Sequence, residues 1–207
     1  MIAPRALRIL SFLAFGFVAA CAQAPGPNGP PPGTPQDVAQ LAQAMQQLGP
    51  NVDPKEARRA AQVTYAYTHQ LAQEYQITDP PLIHNTKVNL GTKPRGLCWH
   101  WARDIELRLR RENFQTLDLH RAVANHNNVR LEHSTAIISS KGDALHDGII
   151  LDPWRKGGVL FWSAVREDTR YDWYSRDQVL AEKLGHDQAV RFLSYEPRSE
   201  EHTSELQ

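Results

Sequence analysis

Apolar positions recur at helical spacing through the first half of the chain and at alternating spacing through most of the second. Val38, Leu41, Met45 and Leu48 predict a helix over 37–48, closed by Gly49-Pro50. Val63, Tyr67, Leu71 and Tyr75 line one face of a second helix. Its start carries Asp53 as N-cap, Pro54 at the first helical position and Glu56 three residues after the cap, which predicts a capping box. Asp79-Pro80-Pro81 breaks the pattern. The stretch Leu82–Leu90, with His84, Asn85 and Asn89, then reads as irregular or extended before Gly91 and Pro94. A third helix follows Gly96-Leu97, with Cys98, Ala102, Ile105 and Leu109 on one face.

Beyond Phe114 the period changes to two. Leu117, Leu119 and Val123 alternate with Asp118, His120 and Ala122, the pattern of a half-buried strand. Further strands are predicted over 130–139, 148–151 and 159–162, separated by Asn125–Asn128, Ser140–Asp143 and Gly157-Gly158. A late helix over 176–184 and an edge strand over 189–195 complete the series. Short connections between consecutive strands imply an antiparallel sheet. The predicted class is therefore α+β, with N-terminal helices and the Cys98 helix packed on that sheet.

Both ends of the chain stand apart from this domain. Met1–Ala20 joins basic Arg5 and Arg8 to the apolar run Ile9–Val18 and then small residues, the layout of an export signal. The ending Val18-Ala19-Ala20-Cys21 resembles the lipobox of bacterial lipoproteins. That resemblance implies a lipid on Cys21, attachment to the cell envelope through it, and, with Ala22 rather than Asp following, sorting to the outer membrane facing the periplasm. The Pro/Gly-rich stretch over 21–36 reads as a semi-extended tether rising roughly 3 Å per residue. Residues 198–207 look like a translated sequencing-library adapter, which leaves 37–197 as the domain proper.

Composition narrows the function classes. The 207 residues are 41% hydrophobic and 22% charged, as expected of a chain able to build its own core. Twenty-three basic residues balance twenty-three acidic ones, and trimming both ends leaves the balance at zero. That excludes the basic excess of an electrostatic nucleic-acid binder. None of the nine histidines falls in a His-x-x-x-His pair and no Cys-x-x-Cys occurs, so neither a metal nor another cofactor is predicted. Gly-rich nucleotide-binding motifs are absent as well. Of the two cysteines, Cys21 is assigned to lipid, which leaves Cys98 as an unpaired thiol in an exported protein.

Cys98 is placed to be a nucleophile, because unpaired N–H groups at a helix start favour the thiolate. Acyl transfer by a thiol also needs a base, a group that orients the base, and donors for the oxyanion. His133, early in the second strand, is the predicted base, on the strand side of Leu131, Thr135 and Ile137 and turned toward the nucleophile helix. Asp152, at the end of Ile149-Ile150-Leu151-Asp152, is the predicted orienter. His100 points elsewhere on its helix and reads as a site-wall or structural residue and not as the base, while His120 and His126 could approach the site from the preceding strand and loop. Oxyanion or substrate-binding candidates are the Cys98 N–H, Asn85, Asn89, Trp99 and Trp154.

Gly96-Leu97-Cys98-Trp99 opening a helix with Ala102, a strand histidine, and a hydrophobic strand ending Leu151-Asp152-Pro153 together resemble the transglutaminase-like branch of the papain-like cysteine enzymes. The resemblance spans 82–173 and departs from the papain-like pattern, whose glutamine ahead of the cysteine has no counterpart in that span. It implies a transglutaminase-like fold and a thioester formed by Cys98 on a peptide or protein amide. In that scheme His133 moves the proton and Asp152 orients it. The products are those of a protease or amidase if water accepts the acyl group, and of cross-linking if an amine does. The competing expectation is a non-catalytic envelope-binding lipoprotein on the same fold, with its tryptophans walling a groove. The sequence carries no sign of oligomeric state.

Overall fold

In the computed structural model, which describes residues 26–128, 130–185 and 188, α1 spans Pro35–Gln46 and α2 spans Pro54–Glu74. The two pack side by side. Ala57, Ala60 and Ala61 of α2 are fully buried, and their small side chains at i, i+3 and i+4 let it approach the Leu41 and Met45 face of α1 closely. A reciprocal capping box does occur, but at α1, between Thr34 and Asp37. At α2 the Asp53 side chain accepts from Lys55 N at 2.8 Å as expected, whereas Glu56 does not turn back on the cap. Its buried carboxylate instead accepts from the backbone N–H groups of Gln115 and Thr116 and from the Thr116 hydroxyl at 2.6–3.0 Å. This bolts the start of α2 to the entrance of the first strand.

The stretch read as irregular is helical. α3 spans Pro81–Asn89 and uses Pro81 in its first turn, where the missing N–H costs nothing. No periodicity announces it, because Leu82, Ile83 and Leu90 are exposed and His84 alone is buried. α4 spans Cys98–Arg110, and its Trp101, Ala102, Ile105 and Leu109 are 1% exposed.

Five antiparallel strands form one sheet in the order β4-β3-β2-β1-β5. They are β1 Leu117–Ala124, β2 His133–Ser140, β3 Ile149–Lys156, β4 Val159–Ala164 and β5 Tyr174–Ser175. β2 therefore starts three residues later than expected, and the β3 hairpin continues past Pro153. A final helix, α5, spans Arg176–Leu184. The predicted edge strand over 189–195, the signal segment, Cys21 and the adapter-like tail lie outside the described residues.

Every residue of β2 is buried, so the sheet is covered on both faces. Ala136, Ile138, Ile149 and Leu151 face the helices and join Trp101, Ile105, Leu109, Leu41 and Leu71 in the main core. Alternation sends Ile137 and Ile150 to the other face, into a smaller core with Ala122, Ala124, Val165 and Trp173. The fold is thus α+β, with helices packed on an antiparallel sheet and Cys98 at the start of a helix that contacts it.

The tether expectation changes from Gly26 onward, where the chain lies on the domain. Pro30 is buried, and a Cβ built on Gly158 would meet its ring at 2.8 Å; Gly33 passes so close to the Tyr65 ring that a Cβ there has no room. The Pro30 ring supplies apolar surface that this path buries. Among the described residues no helix is long and apolar enough to cross a membrane.

Candidate active site

The loop that delivers Cys98 is fixed from several sides. Gly96 has φ +124°, which L side chains rarely adopt, and a Cβ there would lie 2.4 Å from His84 Nε2. That close approach lets the buried His84 ring donate from Nε2 to the Arg95 carbonyl at 2.8 Å. Trp101 Nε1 donates to the Gly96 carbonyl at 3.1 Å, and Arg95 pairs with Asp104 at 2.6 Å. His100 folds back so that its Nδ1 accepts from the N–H groups of Gly96 and Leu97, both at 3.2 Å. Burial, then the Arg95 charge, push the His100 pKa down to about 4, so its ring is neutral at pH 7 and keeps this acceptor. His100 is a structural brace of the loop, as expected of a residue aimed away from the reacting side.

Cys98 is the first residue of α4 and is half-buried. Its own N–H and that of Trp99 have no acceptor within the helix, by the geometry of any helix start. The Cys98 sulfur lies 3.9 Å from the carbonyl oxygen of Glu132, the residue before His133. His133 opens β2 and is 2% exposed; its Nε2 meets Asp152 Oδ2 at 2.6 Å. Its Nδ1 is buried and has no hydrogen-bond partner among the described residues. Burial opposes a charge on His133, but the Asp152 carboxylate and, in the same direction, the Cys98 side chain raise its pKa to about 9.

One expectation about His133 needs correction. The α4 helix packs on the face of β2 carrying Ala136 and Ile138, whereas His133 follows Ile137 on the opposite face. Cys98 is brought close only because His133 is the end residue of β2 and Cys98 the end residue of α4, so the two meet past the rim of the sheet. His133 and Asp152 share the far face because the register Ala136↔Leu151 and Ile137↔Ile150 puts them there.

Three aromatic rings enclose the imidazole: Trp154 at 4.7 Å, Tyr171 at 4.8 Å and Trp173 at 5.5 Å between centroids. Trp154 was among the sequence candidates, and its Nε1 donates to Asn85 Oδ1 at 3.0 Å, which brings Asn85 of α3 alongside the site. Asn89, also a candidate, is exposed at the end of α3 and makes no hydrogen bond to this group among the described residues. Trp99 is 44% exposed, with its ring 3.8 Å from that of His100, at the mouth of the site. His120 is engaged by Ser139 at 2.8 Å, further along the sheet, and His126 faces Glu182 and Tyr174. Neither reaches Cys98. Tyr171, absent from the sequence reading, carries no motif; only its folding back onto His133 reveals it.

Among the described residues no group of three or more His, Cys, Asp or Glu is arranged to hold a metal ion. Fold and site together define an α+β domain with a partly accessible thiol at a helix start beside a buried His–Asp pair. Comparison with known protein families, curated proteins and solved structures finds no match.

Proposed function

We propose that this protein is a cysteine-dependent acyl-transfer enzyme of transglutaminase-like, papain-superfamily fold, acting on peptide or protein amides. The observation that carries the reading is the convergence at one sheet rim of Cys98, of His133 with its free buried Nδ1, and of Asp152 at 2.6 Å from the other ring nitrogen. Among the described residues Nδ1 has no hydrogen-bond partner, which suits it to take the thiol proton. Asp152 holds the tautomer and stabilises the imidazolium that results. Attack of the Cys98 sulfur on an amide carbonyl then gives a tetrahedral oxyanion, for which the N–H of Cys98 is the nearest helix-start donor. Asn85, whose Oδ1 is engaged by Trp154, has its amide NH2 left to assist. Collapse expels the amine, protonated by His133, and leaves a thioester; water releases the acid, or an amine receives the acyl group. Hydrolysis is the favoured outcome.

The test is direct. Iodoacetamide labels Cys98 within minutes at neutral pH and His133→Ala slows that labelling by at least tenfold; equal, slow labelling of both proteins overturns the reading. Turnover of a peptide library by the wild type and not by Cys98→Ser separates an enzyme from a binding protein on the same scaffold. The lipobox-like Val18–Cys21 supports export and lipid anchoring through Cys21, with the domain at the outer membrane facing the periplasm. Metabolic labelling with a palmitate analogue that persists in Cys21→Ser would refute that part.

A further inference from the structure

Asp152 belongs to a larger buried ion group. Arg155 Nε donates to Asp152 Oδ2 at 3.1 Å, and its Nη1 and Nη2 donate to Asp168 Oδ1 and Oδ2 at 3.1 and 2.8 Å. The side chains of Asp152, Arg155 and Asp168 are 1%, 7% and 3% exposed. Two carboxylates therefore share one guanidinium out of water, leaving one net negative charge behind His133. Taking such a group out of water is costly, and well-packed apolar residues often stabilise a fold as well or better, so stability alone is a weak reason for it.

Local structure is bent to build it. Strict alternation would put Asp152 and Arg155 on opposite faces of β3. The β3–β4 register shifts between Asp152↔Phe161 and Lys156↔Val159, with three β3 residues opposing one of β4, and Pro153, which has no N–H to donate, sits inside the bulge. The bulge returns the Arg155 side chain to Asp152, whose Oδ1 also accepts from Arg155 N at 3.1 Å. The guanidinium lies over the Phe161 ring at 4.0 Å and the Tyr171 ring at 4.9 Å. Asp168 also accepts from Trp173 Nε1 at 2.9 Å and from Arg170 N at 3.1 Å. The same carboxylate therefore secures the segment whose Tyr171 and Trp173 rings pack on His133.

Resting on the reading of Cys98 and His133 as a reacting pair, we propose that Arg155 and Asp168 are positioning residues for it. Arg155 fixes the Asp152 carboxylate on the Nε2 side of His133, and Asp168 restores the net negative charge that favours imidazolium beside the thiol. Among the described residues, the charged and titratable groups facing His133 are Asp152 with Arg155 behind it from β3, Cys98 from α4, and Tyr171 from the segment after β4. The Glu132 carboxylate next to it in sequence is turned to Lys183 of α5.

The experiment is an NMR titration of the His133 imidazole in the full chain, its resonance assigned by loss in His133→Gln. Asp168→Asn removes one negative charge and is expected to lower the midpoint by roughly half a pH unit or more. Arg155→Met removes the cation and is expected to raise it by a similar amount. Arg155→Lys keeps the charge and is expected to return the midpoint to the wild-type value. A purely structural role would loosen the site in all three variants and move every midpoint toward the ordinary histidine value. Movement in one common direction, or no movement in folded Asp168→Asn, overturns the proposal. If Arg155→Met does not fold, Asp168→Asn with Arg155→Lys decides it. A wild-type midpoint at the ordinary histidine value would instead strike the proposed function itself, so the two failures are distinguishable.

Discussion

Gly96→Ala tests whether the loop before Cys98 is held as tightly as its contacts imply. Two costs arise. An alanine at φ +124° sits in a region that L side chains rarely occupy, which costs about 1–3 kcal/mol. Its Cβ would also lie 2.4 Å from His84 Nε2, forcing the buried ring off the Arg95 carbonyl and leaving polar groups unpaired, about another 1–3 kcal/mol. The expected loss is therefore about 2–6 kcal/mol, read as a lower urea midpoint at unchanged slope. His84→Ala removes the second cost in advance. In that background Gly96→Ala is expected to cost only the backbone part, giving a coupling of about 1–3 kcal/mol between the two sites. Because the Cys98 sulfur moves with the loop, iodoacetamide labelling of folded Gly96→Ala is also expected to slow. A loss below about 1 kcal/mol, or strict additivity with His84→Ala, would show that the loop relaxes freely.

Other consequences are equally open to measurement. Glu56→Ala strands the Gln115 and Thr116 N–H groups that its carboxylate holds, and is expected to destabilise by about 3 kcal/mol by calorimetry; a loss under 1 kcal/mol contradicts the anchoring role. Ile137→Ala, fully buried in the smaller core behind the sheet, is expected to cost about 2–5 kcal/mol in urea, and less only if the far face is loosely packed. Stability should also depend on pH in two windows. His133, raised to about 9, contributes stability that is full below pH 6.5 and fades between pH 6.5 and 9; a flat slope in Asp152→Asn is the control. His100, lowered to about 4, resists protonation when folded, so stability falls as pH drops from 6.5 to 4, and His100→Gln should remove that slope.

How much of this could be read without the fold varies by element. α2 was legible because Asp53-Pro54 and a four-residue apolar repeat report the same helix from two directions. α3 was not, because its apolar side chains face outward and the helix is held by His84 reaching a carbonyl eleven residues on. Glu56 shows a similar limit: its position three after the cap fits a local role, but Gln115 and Thr116 compete for the same carboxylate and hold it. Residue type at a helix start and at a strand start points to Cys98 and His133, but not to the route by which they meet. Alternation gives the face of His133 but not which face α4 covers.

Local chemistry therefore determined the Asp53-Pro54 start of α2, the start of α4, the alternating strands and the α+β class, and singled out Cys98, His133 and Asp152 as candidates, because each leaves a signal within a few neighbouring positions. Only the tertiary structure decided that the sheet is buried on both faces, that Cys98 and His133 meet around its rim, and that Arg155, Asp168, Tyr171 and Trp173 close behind the histidine. Those contacts depend on strand register, a bulge and the docking of distant segments. They are set by packing across the sheet, and apart from Asp152 and Arg155, which the bulge brings together, the partners lie in separate stretches of the sequence.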